Sequence, residues 1–313
     1  MLTVGEVRTG LLQNATSVAG ATARAVLGIL RDEPVRTAER PVPYAVSPEV
    51  LTGVDCRLAT ASGARPRAVG TVSSRAVLTG GRVLQGSSVT RLAGTELDRR
   101  MPWSHYLARP GVTEVIGRVS WPSVAAGVLD APRVVAAPNL AAISDRVMDT
   151  VQEHPELDGR PPFKAARTTL RWIVEAGPEI GDASFAIAGE SLRTLRLSAR
   201  DDDLAAIVGL CEDIALHDWL LSTLTRLVEH SRLGSGPGFI TRLRPAVDHL
   251  LHLWLPGARV ADVIAPVWAG LERRPGFTRQ WDLTVNRLRD QIAVTTVGLL
   301  SAASEQSRKE SHG

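Results

Sequence analysis

Val69-Gly70-Thr71-Val72-Ser73-Ser74-Arg75-Ala76-Val77-Leu78-Thr79-Gly80-Gly81-Arg82-Val83-Leu84-Gln85-Gly86-Ser87-Ser88-Val89-Thr90-Arg91-Leu92 is the stretch whose reading decides the fold class. Residues 69–78 and 83–92 are β-type runs, and Thr79-Gly80-Gly81-Arg82 separates them. Two glycines at the turn supply the positive φ that a tight hairpin needs. Before this pair, residues 2–12 read as a first strand and residues 16–30 as a small-residue helix. Glu39-Arg40-Pro41-Val42-Pro43-Tyr44-Ala45-Val46-Ser47-Pro48 lies between them and the pair, and its three prolines favour extended chain on a surface. After it, the Pro110-Gly111 turn signal introduces a strand over 112–119. Leu140, Ile143, Val147 and Val151 then share one face of a helix over 140–153. Residues 166–175, 183–188 and 192–197 look like strands again, joining the first sheet or forming a small one.

Near residue 200 the chain changes character. Asp201-Asp202-Asp203 offers a cap for a helix reaching about Arg232 that is apolar nearly all round, a pattern expected of a central bundle helix. Gly234-Ser235-Gly236-Pro237-Gly238 ends it, and helices over 241–255, 260–274 and 278–302 follow, split by Pro256-Gly257 and Pro275-Gly276. Trp219, Trp254, Trp268 and Trp281 fall one on each, as bundle-core residues or docking-face markers. The expectation is an α+β protein: a β-rich part over 1–199, an antiparallel helical bundle over 200–303 and a polar, disordered tail over 304–313.

Composition narrows function mostly by exclusion. No stretch approaches the ~20 apolar residues of a membrane helix, and the first residues lack the pattern of a signal peptide, so cytoplasm is the default. Cys56 and Cys211 form no metal-type doublet. Residues 1–150 hold 17 Arg against 12 acidic residues, yet the arginines are scattered with few aromatics among them, which is not the pattern of a nucleic-acid module. A phosphate-binding Gly-x4-Gly-Lys-Ser/Thr, a dinucleotide Gly-x-Gly-x-x-Gly and a Gly-x-Ser-x-Gly elbow are all missing, so no cofactor is expected.

Two constellations have functional-type residues. Asp213/His217 and Asp248/His252 repeat an Asp-x3-His spacing that puts both side chains on one helical face, as carboxylate/His metal sites require. His217 shares its face with Leu210, Leu221 and Leu224 and points inward, whereas Asp248 and His252 lie opposite the stripe of Leu243, Val247, Leu250 and Trp254. The pairs meet only if the second helix is covered on both faces; otherwise His217 hydrogen-bonds Asp213 in the core. The second constellation is Trp103-Ser104-His105-Tyr106-Leu107-Ala108-Arg109. Trp103, His105, Tyr106 and Arg109 suit first a loop whose aromatics anchor it to the sheet, and after that, with Tyr44, an interaction surface or a ligand pocket.

Several blocks carry a resemblance: Leu2-Thr3-Val4-Gly5-Glu6-Val7-Arg8-Thr9-Gly10-Leu11-Leu12-Gln13, Arg40 to Pro48, Trp103 to Gly111, Cys211 to Leu220, and Arg244 to Trp254. Together they resemble a family of uncharacterised actinobacterial proteins of the Streptomyces type, across nearly the whole chain. Its members look to be encoded beside a variant P-loop protein and a SAM-dependent methyltransferase-like protein. The resemblance implies protein partners of those kinds and brings no activity or site residues. The expected function is a non-enzymatic cytoplasmic adaptor or interaction subunit. The alternative is an enzyme with a metal or polar site between the two halves.

Overall fold

A computed structural model describes residues 1–95, 99–130, 138–177, 183–200, 203–231, 244, 247–258 and 260–310. Its ten-stranded sheet runs in the order β2-β3-β5-β7-β6-β1-β8-β10-β9, with β4 paired to β5. The strands are β1 (Leu2–Leu11), β2 (Arg36–Ala38), β3 (Tyr44–Val46), β4 (Val50–Arg57), β5 (Arg67–Thr79), β6 (Val83–Thr95), β7 (Val112–Ile116), β8 (Thr168–Ala176), β9 (Ser184–Ile187) and β10 (Leu192–Ala199). All pairings are antiparallel except β6–β7 and β8–β10. The open question about the later strands is thereby answered: β8 pairs with β1, and β10 with β8, so they extend the first sheet. Gly80 and Gly81, at φ +60 and +63, join β5 to β6, and the Arg82 N–H donates to the Thr79 carbonyl.

Helices cover both faces. On one lie α3 (Trp121–Asp130) and the start of α4 (Leu140–Gln152), over buried Leu2, Val4, Ala68, Val72, Leu92 and Ile173, and α1 (Gly20–Leu27) with the rest of α4, over Leu12, Ala45, Ala76, Leu78 and Leu84. Gly86 lets α4 come close, because a Cβ there would strike the Ser144 carbonyl. The other face receives α5 (Leu204–Ser231), whose Ile207, Cys211, Ile214 and Leu221 pack with Val7, Leu11, Trp172, Leu195 and Leu197 in one cluster. Each such fully buried aliphatic side chain contributes about 1.5–3 kcal/mol. The same cluster takes in Trp268 of α6 (Ala265–Arg273) and Trp281 and Leu288 of α7 (Phe277–Glu310). The all-round apolar pattern of α5 thus has a physical cause: one side meets the sheet and the other meets α7.

Several expectations are adjusted. The first helix covers only Gly20–Leu27. Residues 39–41 and Pro43 of the proline-rich segment are exposed as expected, but Val42, Ala45, Val46 and Ser47 are buried, because β3 is held in the sheet between β2 and β5. The last helix continues through residues 304–310, where a disordered tail was expected. Much of the helix expected over 241–255, the glycine-rich loop before it and Asp201-Asp202 lie outside the described residues; Leu251–Leu253 forms a single 3-10 turn. No helix of the described residues is long and apolar enough to cross a membrane.

Candidate functional site

The sheet forks in the middle. β5 and β6 pair from Thr79↔Val83 as far as Ser73↔Val89, then separate, and β7 enters between them. Hydroxyls line the junction. Thr90 and Thr113 Oγ1 are 2.8 Å apart, and the Gly111 N–H donates to Thr71 Oγ1 at 2.8 Å. These bonds fix the Pro110-Gly111-Val112 entry to β7. A short helix, α2 (Trp103–Leu107), covers the fork wing of β4, β5 and β7, and α5 covers the neighbouring wing.

Between the fork and the start of α5 lies a cleft of about 490 Å³. Its walls are Glu49 beside β4 and Leu51 within it, Ser73, Ser74 and Arg75 of β5, Ser87, Val89 and Arg91 of β6, Pro110 to Val112, and Leu204, Ala205 and Val208 of α5. Alternation along the strands places Ser73 with Arg75, and Ser87 with Val89 and Arg91, on the α5 side. Both halves of the chain therefore contribute to one site.

The chemistry centres on Arg75. Its Nε and Nη2 donate to the two carboxylate oxygens of Glu212 on α5, at 2.8 and 2.9 Å, and the side chains are 15% and 5% exposed. Burial alone would lower the guanidinium pKa, but the Glu212 charge and hydrogen bonds outweigh it and hold it above its ordinary value. The fork geometry is bidentate and directional. Nη1 is left over, 4.0 Å from Glu49 Oε1, too far for a hydrogen bond. Glu49 Oε2 accepts from Ser73 Oγ at 2.6 Å. Ser87, opposite Arg75 in the β5–β6 register, is 2% exposed and its Oγ has no hydrogen-bond partner.

The candidate interaction residues occupy the wing beside the cleft. His105 Nε2 and Arg109 Nη1 both meet Glu114 Oε1, at 2.9 and 2.6 Å. Tyr106 is buried, and its hydroxyl accepts from the Met101 N–H at 2.9 Å. The exposed Trp103 lies over Gly53 and takes the Arg100 guanidinium on its face, 5.1 Å from the ring centroid. Tyr44, half-buried in β3, lies on a different part of the sheet, so the five residues do not form one patch.

Asp213 and His217 are buried on α5, where His217 Nδ1 lies 2.7 Å from the Asp213 carbonyl oxygen and Asp213 Oδ2 accepts from the Gly257 N–H at 3.1 Å. The His217 ring meets Trp254 and Trp268 edge-on, with centroids at 5.1 and 5.8 Å. Asp248 pairs with Arg244 at 3.5 Å on the exposed surface, and His252 is exposed. Among the described residues no three His, Cys, Asp or Glu side chains gather to hold a metal. His217 is thus a packing and hydrogen-bonding residue of the aromatic core, in which Trp254 and Trp281 stack at 4.1 Å.

Sequence reasoning passed over Glu49, Ser73, Arg75, Ser87, Arg91 and Glu212. One signal was present: polar residues at alternate positions of otherwise apolar strands, facing a helix that has an acidic pair amid its leucines. Comparison of the chain with protein-family models, with curated proteins and with solved structures gives no match.

Proposed function

We propose that the chain is a ligand-binding subunit, holding a small molecule in the cleft between the sheet fork and the start of α5 and acting in the cytoplasm with protein partners. The clamped guanidinium of Arg75 carries this reading. A buried arginine oriented by a carboxylate on another element, with one nitrogen turned to a cleft of about 490 Å³, is a preformed recognition group. The volume falls in the ordinary range of small-molecule sites, about 300–1,000 Å³. The resemblance supplies the partner kinds: a variant P-loop protein and a methyltransferase-like protein.

A second reading, an enzyme with a polar site between the two halves, is favoured by the same cleft, since its walls come from residues 49–112 and from Leu204 to Val208. Equilibrium dialysis of the purified chain against a small-molecule cell extract, read by mass spectrometry, tests both. A compound enriched by the wild type and not by Ala205→Trp, which fills the cleft from the exposed start of α5, supports binding. Conversion of that compound by the chain alone favours the enzyme. Equal recovery with both proteins overturns the cleft as the site.

A further inference from the structure

We infer that the outer face of α7 pairs with the same face of a second copy of this chain, the helices antiparallel and Arg287 of each set against Asp290 of the other. The surface does not line the cleft, and the inference goes beyond the binding reading above. The helix has two apolar sides. Trp281, Thr284 and Leu288 are buried where α7 meets α5, and Val285 and Ile292 pack on the same cluster. At about 100° per residue, Leu283, Val294 and Val297 fall on the opposite side. They are 55%, 73% and 63% exposed, and exposed Leu300 flanks them. From Gln291 to Ser304 the sequence has no charged residue, yet most described residues of that stretch face water. Helices draw most of their stability from packing of an apolar face, so a second such face left to water favours association.

Spacing and charge identify the occupant. Gln280, Leu283, Arg287, Asp290, Val294, Val297 and Ser301 recur at alternating steps of three and four, the seam of a two-helix coiled coil. In a parallel pair each seam residue faces its own copy, so Arg287 meets Arg287 and Asp290 meets Asp290. An antiparallel pair centred between Leu288 and Arg289 sets Leu283 against Val294, Gln280 against Val297 and Arg287 against Asp290. Two-fold symmetry repeats every one of these contacts. Arg287 and Asp290 are exposed, and neither forms an ion pair with another described residue, so both are free to pair across the interface. Sliding one copy by a heptad buries Arg287 against Val297 and Asp290 against Val294, each charge without a partner. The charges thus fix direction and register, and the aliphatic residues on either side exclude water.

Sedimentation equilibrium of the full chain over a concentration series tests this, and the expected result is a reversible monomer–dimer equilibrium. Val294→Glu, at a position the monomer already exposes, keeps the circular dichroism spectrum and weakens the dimer about tenfold or more. Arg287→Asp and Asp290→Arg each bring like charges face to face and weaken it by a similar factor. Combining the two exchanges the charges and returns the dimer constant to within about threefold of wild type. A chain that stays monomeric at every concentration overturns the inference, whichever other partner covers the face. A dimer untouched by Val294→Glu places the interface elsewhere and overturns it too. Charge reversals without effect, or a double variant as weak as the singles, overturn the antiparallel pairing; the rival register, with Val294 against Val297 and no charge opposite either residue, gives that result.

Discussion

Glu212→Leu isolates the group on which the site depends. Glu212 accepts two hydrogen bonds from Arg75 at 2.8 and 2.9 Å, from a largely apolar helix that packs on the sheet. Removing one member of a buried pair strands the other charge and costs about 3–5 kcal/mol. Arg75 opens onto the cleft and keeps Glu49 at 4.0 Å, so water and that carboxylate relieve part of the loss. The lower end, about 3 kcal/mol, is the expected cost. Thermal midpoints of domains this large move by about 2 °C per kcal/mol, so Glu212→Leu should melt about 6 °C below wild type by circular dichroism. Replacing both partners, in Arg75→Met with Glu212→Leu, exchanges the ion pair for apolar contact and should return stability to within about 1 kcal/mol of wild type. The double variant regains its fold while losing the recognition group, so it should recover its melting temperature and still capture no ligand. A Glu212→Leu protein melting within 1 °C of wild type, or a double variant as unstable as the single, refutes the claim that this pair is a buried clamp.

Stability should also fall as pH drops from 7 to 5. Burial, and after it the nearby Arg82 charge, push the His249 pKa below its ordinary 6.5, with Asp248 acting the other way and His252 adding to the depression. The unfolded chain then binds more protons than the folded one through this window, so folding weakens toward acid, and His249→Gln should flatten the slope in urea titrations at pH 7, 6 and 5. The Cys56 thiol is pushed up to about 11, by burial first and by Asp55 second, against an ordinary 9.0. Iodoacetamide at pH 8 should therefore modify it about a hundredfold more slowly than a free thiol, and buried Cys211 only after unfolding; rapid labelling of the native protein contradicts this. Gly81→Ala should destabilise more than Gly63→Ala. Both glycines have positive φ, a strain of about 1–2 kcal/mol for alanine, but only at Gly81 would the Cβ strike a carbonyl, that of Val18. Equal chemical-denaturation midpoints for the two variants would show that the Val18 contact yields freely.

The legible parts of the fold are those that local rules determine. Strand periodicity located β1, β5, β6 and β7 to within a few residues, and the leucine spacing located α5. What the sequence hid is set by partners distant in the chain. The apolar girdle of α5 reads equally as the centre of a bundle or as a helix pressed between a sheet and another helix, because both environments exclude water from every side. The proline-rich segment reads as surface because prolines remove donors, yet Val46 and Ser47 are covered once β3 pairs with β5. The site was hidden for a related reason. Asp213 and His217 attract notice by their i,i+4 spacing within one helix, and the structure uses them in the core. Arg75 and Glu212, 137 positions apart, attract none, because an arginine in a strand and a glutamate in a helix are each expected to face water. Only the fold turns them toward each other. A half-satisfied guanidinium beside an unpartnered serine then carries chemical information, since buried polar groups are ordinarily paired and an exception needs a reason. For Arg75 the cleft supplies one: the Glu212 clamp leaves Nη1 over beside the place where β7 parts β5 from β6, beyond Ser73.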